Sequence, residues 1–293
     1  MRSTAAIVTP LCSAVGYVFA AMMLKKATSG GGRPWRVVFI VNLVTALSFQ
    51  FWFFYGGESF TNLNVVHAVI AGTVFFAGQI LTFVAISQGD VSISTPVLGT
   101  KVVFVALFVY LFGAEPLSPK LWMATLLTSA ALILLGGEWR ANRKRLIVSV
   151  AYAFFAAILF AVTDVLQRLW VPAFGFGHFA PVMFLTVGVL SVGLIPFFGE
   201  PLLSLPAKAR KWALLGGGLL SVQNMGIAYC IGVFREVTIT NVLYNTRGLW
   251  SVLLVWVVGH WFANTEKTVG GAIMTRRLMG ALLLLAAVYL SLS

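Results

Sequence analysis

Charge is what this sequence has least of. Only 10% of its 293 residues are charged, and just 8 of them are Asp or Glu. An ordinary soluble domain carries about 25% charged residues, so that class is excluded. Two cysteines, Cys12 and Cys230, both inside apolar runs, leave no disulfide framework and read as small packing residues. The 3 histidines, His67, His178 and His260, are far apart and near the ends of apolar runs, with no metal-ligand spacing. The phosphate-loop pattern GxxxxGK[ST] is missing, which removes support for ATP-driven chemistry. No catalytic residues, metal or other cofactor are therefore expected.

Apolar residues fill the space, at 60% of the chain. A helix needs roughly 20 apolar residues to cross a hydrocarbon core. Ten windows qualify: 5–24, 36–55, 65–86, 91–112, 119–137, 147–170, 178–198, 212–234, 237–261 and 276–292. They are too long and too uniformly apolar for barrel strands, which alternate over about ten residues. The first window has only Arg2 before it and no small-residue cleavage site after Leu24, so it reads as a transmembrane helix rather than a signal peptide. The expected class is an all-α membrane protein of ten transmembrane helices, with the lipid bilayer as its solvent.

The net charge of +12 is unevenly placed. Lys25, Lys26, Arg33 and Arg36 follow the first span, and Arg140, Arg143, Lys144 and Arg145 the fifth. Lys208, Arg210 and Lys211 follow the seventh, and Lys267, Arg276 and Arg277 the ninth. The other connections hold little beyond Arg2, Lys120, Arg168 and Arg235. Such a bias marks cytoplasmic ends, not a nucleic-acid surface. The chain is expected in the plasma membrane (the inner membrane of a bacterium), with odd-numbered connections inside and both termini outside.

Two stretches align without a gap: DVSISTPVLGTKVVF at 90–104 and EVTITNVLYNTRGLW at 236–250. Val91 falls on Val237, Ile93 on Ile239, Thr100 on Thr246 and Lys101 on Arg247. A cation at the bilayer centre costs roughly 2.5–3.5 kcal/mol on insertion scales, so two at equivalent positions point to a site. Gln79 likewise matches Gln223, and, more weakly, the first span matches the sixth with Lys26 against Arg168. The repeat divides the chain into a first five-helix unit at 1–137, a basic cytoplasmic linker at 138–146 and a second unit at 147–293. An odd number of spans per unit inserts the second upside down, the inverted-repeat architecture of secondary transporters.

The short turns at 87–90 and 235–236 and the segment AISQGDVSISTPVLGTKVVFVALFVYLFGAEPLSPKLWMATLLTSAALILL resemble the drug/metabolite transporter superfamily, in its EamA-like ten-helix branch. The family pattern G-E-x-L-S/T-x-x-x-W is read at Gly113, Glu115, Leu117, Ser118 and Trp122, while the second unit departs from it at 259–266. The resemblance implies export or exchange of small metabolites: amino acids, sugars, nucleotide sugars, phosphorylated compounds or lipids.

Lys101 and Arg247 each lie about 15 Å along their spans, at 1.5 Å per residue, and are expected to hold an anionic group from opposite sides of a central cavity. Asp164 is read as a counter-ion, as a proton-coupling carboxylate, or as the partner of Arg168 four residues on. Gln79, Gln223 and Asn42 are candidates either for lining the cavity or for joining helices. Asn245, Tyr244 and Trp250 lie within a turn of Arg247, with Trp250 on its face as an aromatic wall; Tyr17 is a further candidate. Pro96 is expected to kink the fourth span, and Gly216, Gly217 and Gly218 to allow close helix approach. The function that follows is a secondary transporter moving a small anionic or zwitterionic metabolite by alternating access, as a monomer or homodimer. The alternative is a lipid-head-group flippase or a membrane-embedded lipid-handling enzyme.

Overall fold

The computed structural model describes residues 3–88, 97–113, 117–135, 143–258 and 271–293, and it is helical with no strand among them. With no water to satisfy a free N–H or C=O in hydrocarbon, apolar runs of this length are stable only as helices. The elements are α1 (Thr4–Ser29), α2 (Pro34–Phe49), α3 (Asn62–Gln88), α4 (Lys101–Leu111), α5 (Pro119–Leu135), α6 (Arg143–Phe174), α7 (Phe176–Ser191), α8 (Ala207–Gly232), α9 (Val237–Tyr244), α10 (Arg247–Val258) and α11 (Gly271–Leu292). Among the described residues six stretches are long and apolar enough to cross a membrane: Thr4–Ser29, Pro34–Tyr55, Asn62–Ile86, Ile147–Phe174, Phe176–Phe197 and Ala207–Gly232. Val97–Leu111, Pro119–Leu135 and Leu278–Leu292 are shorter apolar helices.

Sequence punctuation sets the ends. Pro34 opens α2 at a position where its missing N–H costs nothing. Gly175, at φ 75°, separates α6 from α7, and Gly113, at φ 60°, follows α4. Ser118 then accepts the Leu121 N–H on its hydroxyl at 3.3 Å, and Trp122 packs edge-on against Tyr110 of α4. Gly113, Ser118 and Trp122 of the family pattern thus close one helix, cap the next and pack the two together.

One sequence expectation needs correcting. The span 237–261 is not one helix: it breaks after Tyr244, and Asn245 and Thr246 form a turn before α10. Gly89, Asp90, Val91, Ile93, Pro96, Glu115, Gly259, His260, Lys267 and residues 138–142 lie outside the described residues, so the Pro96 kink and most of the linker do too.

Packing joins the two halves of the chain. α1 lies on α8, α3 on α6, and α5 on α11; α2 packs on both α7 and α8, and α3 also on α7. α4 touches α6, and α9 and α10 touch α1. The eight-residue α9 is the innermost element, with every residue from Val237 to Leu243 buried. Glycine permits the closest approaches. Gly217 faces the Val41 backbone of α2, Gly216 faces Met23 and Leu24 of α1, and Gly218 faces open space. A Cβ at Gly72 would run into the Met183 carbonyl of α7. Gly72→Leu is therefore expected to lower stability by roughly 1–3 kcal/mol or more in a detergent unfolding assay, whereas Gly218→Leu stays within about 0.5 kcal/mol.

Arg36, read from sequence as one of a row of loop cations, is 1% exposed. It donates to Glu200 at 3.0 Å, to the Pro201 carbonyl at 3.2 Å and to Ser204 at 3.0 Å. Lys26 lies 4.6 Å above the Trp212 ring, so the basic connections after α1 and α7 meet at one end of the bundle. At the 56–61 turn, Glu58 N–H donates to the Phe174 carbonyl at 3.1 Å and His178 Nδ1 donates to the Glu58 carbonyl at 2.7 Å.

Candidate functional site

Both sequence-matched cations stand at a helix break. α4 opens at Lys101 after a turn at Thr100, and α10 opens at Arg247 after the turn at Asn245 and Thr246. The two breaks share their hydrogen bonds. Thr100 Oγ1 donates to the Val97 carbonyl at 2.6 Å, and Thr246 Oγ1 to the Leu243 carbonyl at 2.6 Å. Their backbone N–H groups donate to the same two carbonyls, at 3.0 and 3.1 Å. A hydroxyl bonded back to its own chain competes with helix continuation, which favours a break at each threonine.

A cation in the first position of a helix faces the positive end of the peptide dipoles. Each one here is compensated in a different way. Lys101 Nζ lies 2.7 Å from Asp164 Oδ2 of α6, with the side chains 18% and 7% exposed. Asn241 of α9 donates to the same oxygen at 2.7 Å. Asp164 thus turns to Lys101 and Asn241, not to Arg168 on its own helix. Asn241 was not a sequence candidate; its spacing of three from Tyr244, on one helical face, was the available signal.

Arg247 has no carboxylate within ion-pair distance among the described residues. Its guanidinium carbon lies 4.5 Å from the ring centre of Tyr244 and 4.7 Å from that of Tyr17 in α1. The two rings meet edge to face, with centres 6.0 Å apart at 80°. Aromatic faces attract a cation by about 0.5–2 kcal/mol each and leave the N–H edge of the guanidinium available. The aromatic wall is thus built by Tyr17 and Tyr244. Trp250, expected in that role, is half-buried with its indole N–H enclosed and without a hydrogen-bond partner.

Asn245 is buried at the break, its N–H bonded to the Asn241 carbonyl at 3.1 Å and its carbonyl accepting from Gly248 at 3.0 Å. Gln223 is buried on α8 opposite Gly16, the neighbour of Tyr17, with its amide N–H on Asn224 and its oxygen unpartnered. Gln79 donates to Asn42 at 3.1 Å and Asn42 to Ser191 at 2.8 Å, a chain across α2, α3 and α7 that includes nothing from α1, α9 or α10. A groove of about 420 Å³ lined by Phe39, Pro196, Phe198 and Glu200 contains none of these residues. The structure therefore gathers Tyr17, Tyr244, Asn245 and Arg247, with Gln223 beside them, and sets Lys101 with Asp164 one turn of α9 away.

The Thr100 turn, the Ser118 cap and the Tyr110–Trp122 contact all fall in one stretch of the chain that matches a known family. Residues 4–137 match the EamA-like transporter family. Over that stretch the match agrees with the resemblance to drug/metabolite transporters read from the residues. With its long apolar helices the chain is a multi-pass membrane protein. Its fold is also that of a solved structure titled only "Crystal structure of protein", 18% identical, covering 100% of this chain and 99% of that one with a TM-score of 0.75. Among the curated proteins, none matches the sequence.

Proposed function

We propose that this protein is a ten-span secondary transporter built from two inverted five-helix repeats, and that it moves a small anionic or zwitterionic metabolite by alternating access. Arg247 carries the reading: a cation at a helix break, held by two phenol faces and answered by no carboxylate among the described residues. The planar fork of a guanidinium can take a carboxylate or phosphate in two parallel hydrogen bonds.

The repeat draws support from the packing. Exchanging α1–α5 for α6–α11 in chain order turns α1 on α8 into α6 on α3, α2 on α8 into α7 on α3, and α4 on α6 into α9 and α10 on α1. The matching Thr100 and Thr246 turns support the same two-fold relation. Inverted repeats with broken helices place substrate near the membrane midplane between the halves. The basic connections gathered around Arg36 and Trp212 suit the cytoplasmic side, with both termini outside.

In this reading Arg247 anchors the substrate, Tyr17, Tyr244 and Gln223 shape the site, and Lys101 is held by Asp164 until the cycle frees it. A thermal-stability screen of the purified protein tests the reading, using carboxylates, phosphates, zwitterions, sugars, cations and phospholipid head groups. A ligand at 100 times its dissociation constant stabilises by about 2.7 kcal/mol. Stabilisation by one class of small anion or zwitterion, lost in Arg247→Ala, is expected. Stabilisation by head groups alone would favour lipid handling, and stabilisation by neutral compounds retained in the variant would overturn the anchor.

A further inference from the structure

The Lys101–Asp164 pair binds the first half of the chain to the second through a buried carboxylate, and α9 ties it to Arg247. Asn241, which donates to Asp164, and Tyr244, which lies against Arg247, are three residues apart on one face of this eight-residue helix. Resting on the transporter reading above, we infer that Asp164 is the binding site of the coupling ion, that this ion is a proton, and that it binds together with the anionic substrate.

Geometry decides between ions. The ammonium of Lys101, 2.7 Å from Asp164 Oδ2, stands where a metal cation would sit. Asp164 Oδ2 already takes Lys101 and Asn241, and a proton needs only one carboxylate oxygen, whereas a hard metal cation needs several oxygen ligands. In the step itself a proton from the adjoining aqueous phase adds to an Asp164 oxygen. The carboxylate charge and its ion pair with Lys101 are lost, Lys101 keeps its own proton, and no other bond changes.

Charge explains the coupling. The empty site holds Lys101, Asp164 and Arg247, a sum of one positive charge. A bound monoanion with Asp164 protonated restores that same sum. Anion alone, or proton alone, changes it by one in a setting of low dielectric, so each ligand favours the other by reciprocal linkage. Among the described residues the titratable and charged neighbours are few. α4 brings Lys101, α9 brings Tyr244 beside the neutral Asn241, and α6 itself carries Arg168 one turn on. On α3, His67 stacks on Trp170, well along α6 from Asp164. α8 brings Cys230 and Tyr229, the latter packed on Trp52 and Phe176; His178, near the start of α7, is held by the Glu58 carbonyl.

Infrared difference spectra of the whole protein in lipid nanodiscs test the proton site without any substrate, between about pH 8 and about pH 4 to cover perturbed carboxyl groups. Beside the bands of the other carboxyl groups, one protonated-carboxyl component is expected in the wild type and in Arg247→Ala, displaced in Asp164→Glu, missing in Asp164→Asn, and unmoved by sodium chloride at constant ionic strength. A spectrum that loses no component in Asp164→Asn and shifts none in Asp164→Glu, or a component removed by sodium, overturns the assignment. Co-binding is read with a pH electrode in weak buffer as each anion of the screen is added. Uptake of close to one proton per anion bound, lost in Asp164→Asn, is expected; proton release, or none with an anion that binds, overturns it. Because the band is read in Arg247→Ala as well, failure of the anion anchor and failure of the proton site are separate results.

Discussion

Replacing Lys101 with methionine is expected to destabilise the protein by about 3–5 kcal/mol at neutral pH, because it strands a buried carboxylate. Asp164 keeps only the Asn241 amide as a partner in that variant, and its side chain is 7% exposed. Asp164→Leu alone should cost a similar amount by stranding the ammonium. The double variant, Lys101→Met with Asp164→Leu, is expected to recover most of the loss, since apolar replacement of a whole buried pair is often neutral. Unfolding in mild detergent gives all three values. Additive losses in the double variant would mean that the two residues act independently, and the ion pair would cease to matter to the fold.

Arg247→Ala is expected to weaken binding of the anion found in the ligand screen by about 2–5 kcal/mol, roughly 30- to 5,000-fold, the range for truncating one partner of a buried hydrogen-bonded charge pair. Arg247→Lys keeps the charge but loses the planar fork and the stacking surface, so it should fall between alanine and wild type. Tyr17→Phe and Tyr244→Phe preserve the ring faces and are expected to bind close to wild type, whereas Tyr17→Ala and Tyr244→Ala each lose about 0.5–2 kcal/mol. Calorimetric titration of the six variants checks the order. Equal binding by Arg247→Lys and wild type would reduce the guanidinium to a point charge.

The cations at 101 and 247 were legible because local sequence carries them: a threonine followed by a basic residue inside an apolar run, twice. What surrounds them was not. The break before Arg247 falls in a stretch without Pro or Gly and depends on a side chain turning back to a carbonyl, which hydropathy does not register. Asp164 shows its neighbour Arg168 in sequence, yet it takes its cation from Lys101, 63 residues away, and its amide from Asn241. Arg36 looked like one loop cation among several because Glu200 and Ser204 arrive only with the tertiary fold. Gln79 and Gln223 align in sequence but take different partners, Asn42 for the first and Asn224 for the second.

The Arg36 clamp bears on movement. It fastens the start of α2 to the 200–204 segment of the other half, and the Glu58–Phe174 and Glu58–His178 bonds fasten the 56–61 turn to the junction of α6 and α7. Together these staples make α2 and α7 the spine of a book. A spine sewn with a buried guanidinium does not open, for parting it would strand that charge without its carboxylate. Any change of access then has to come from the leaves, where α4 and α10 already begin at unwound turns and α9 is a rod of two turns. Inhibitors or cross-links placed on the spine would leave such a cycle running, while one bond across the Thr246 turn would stop it.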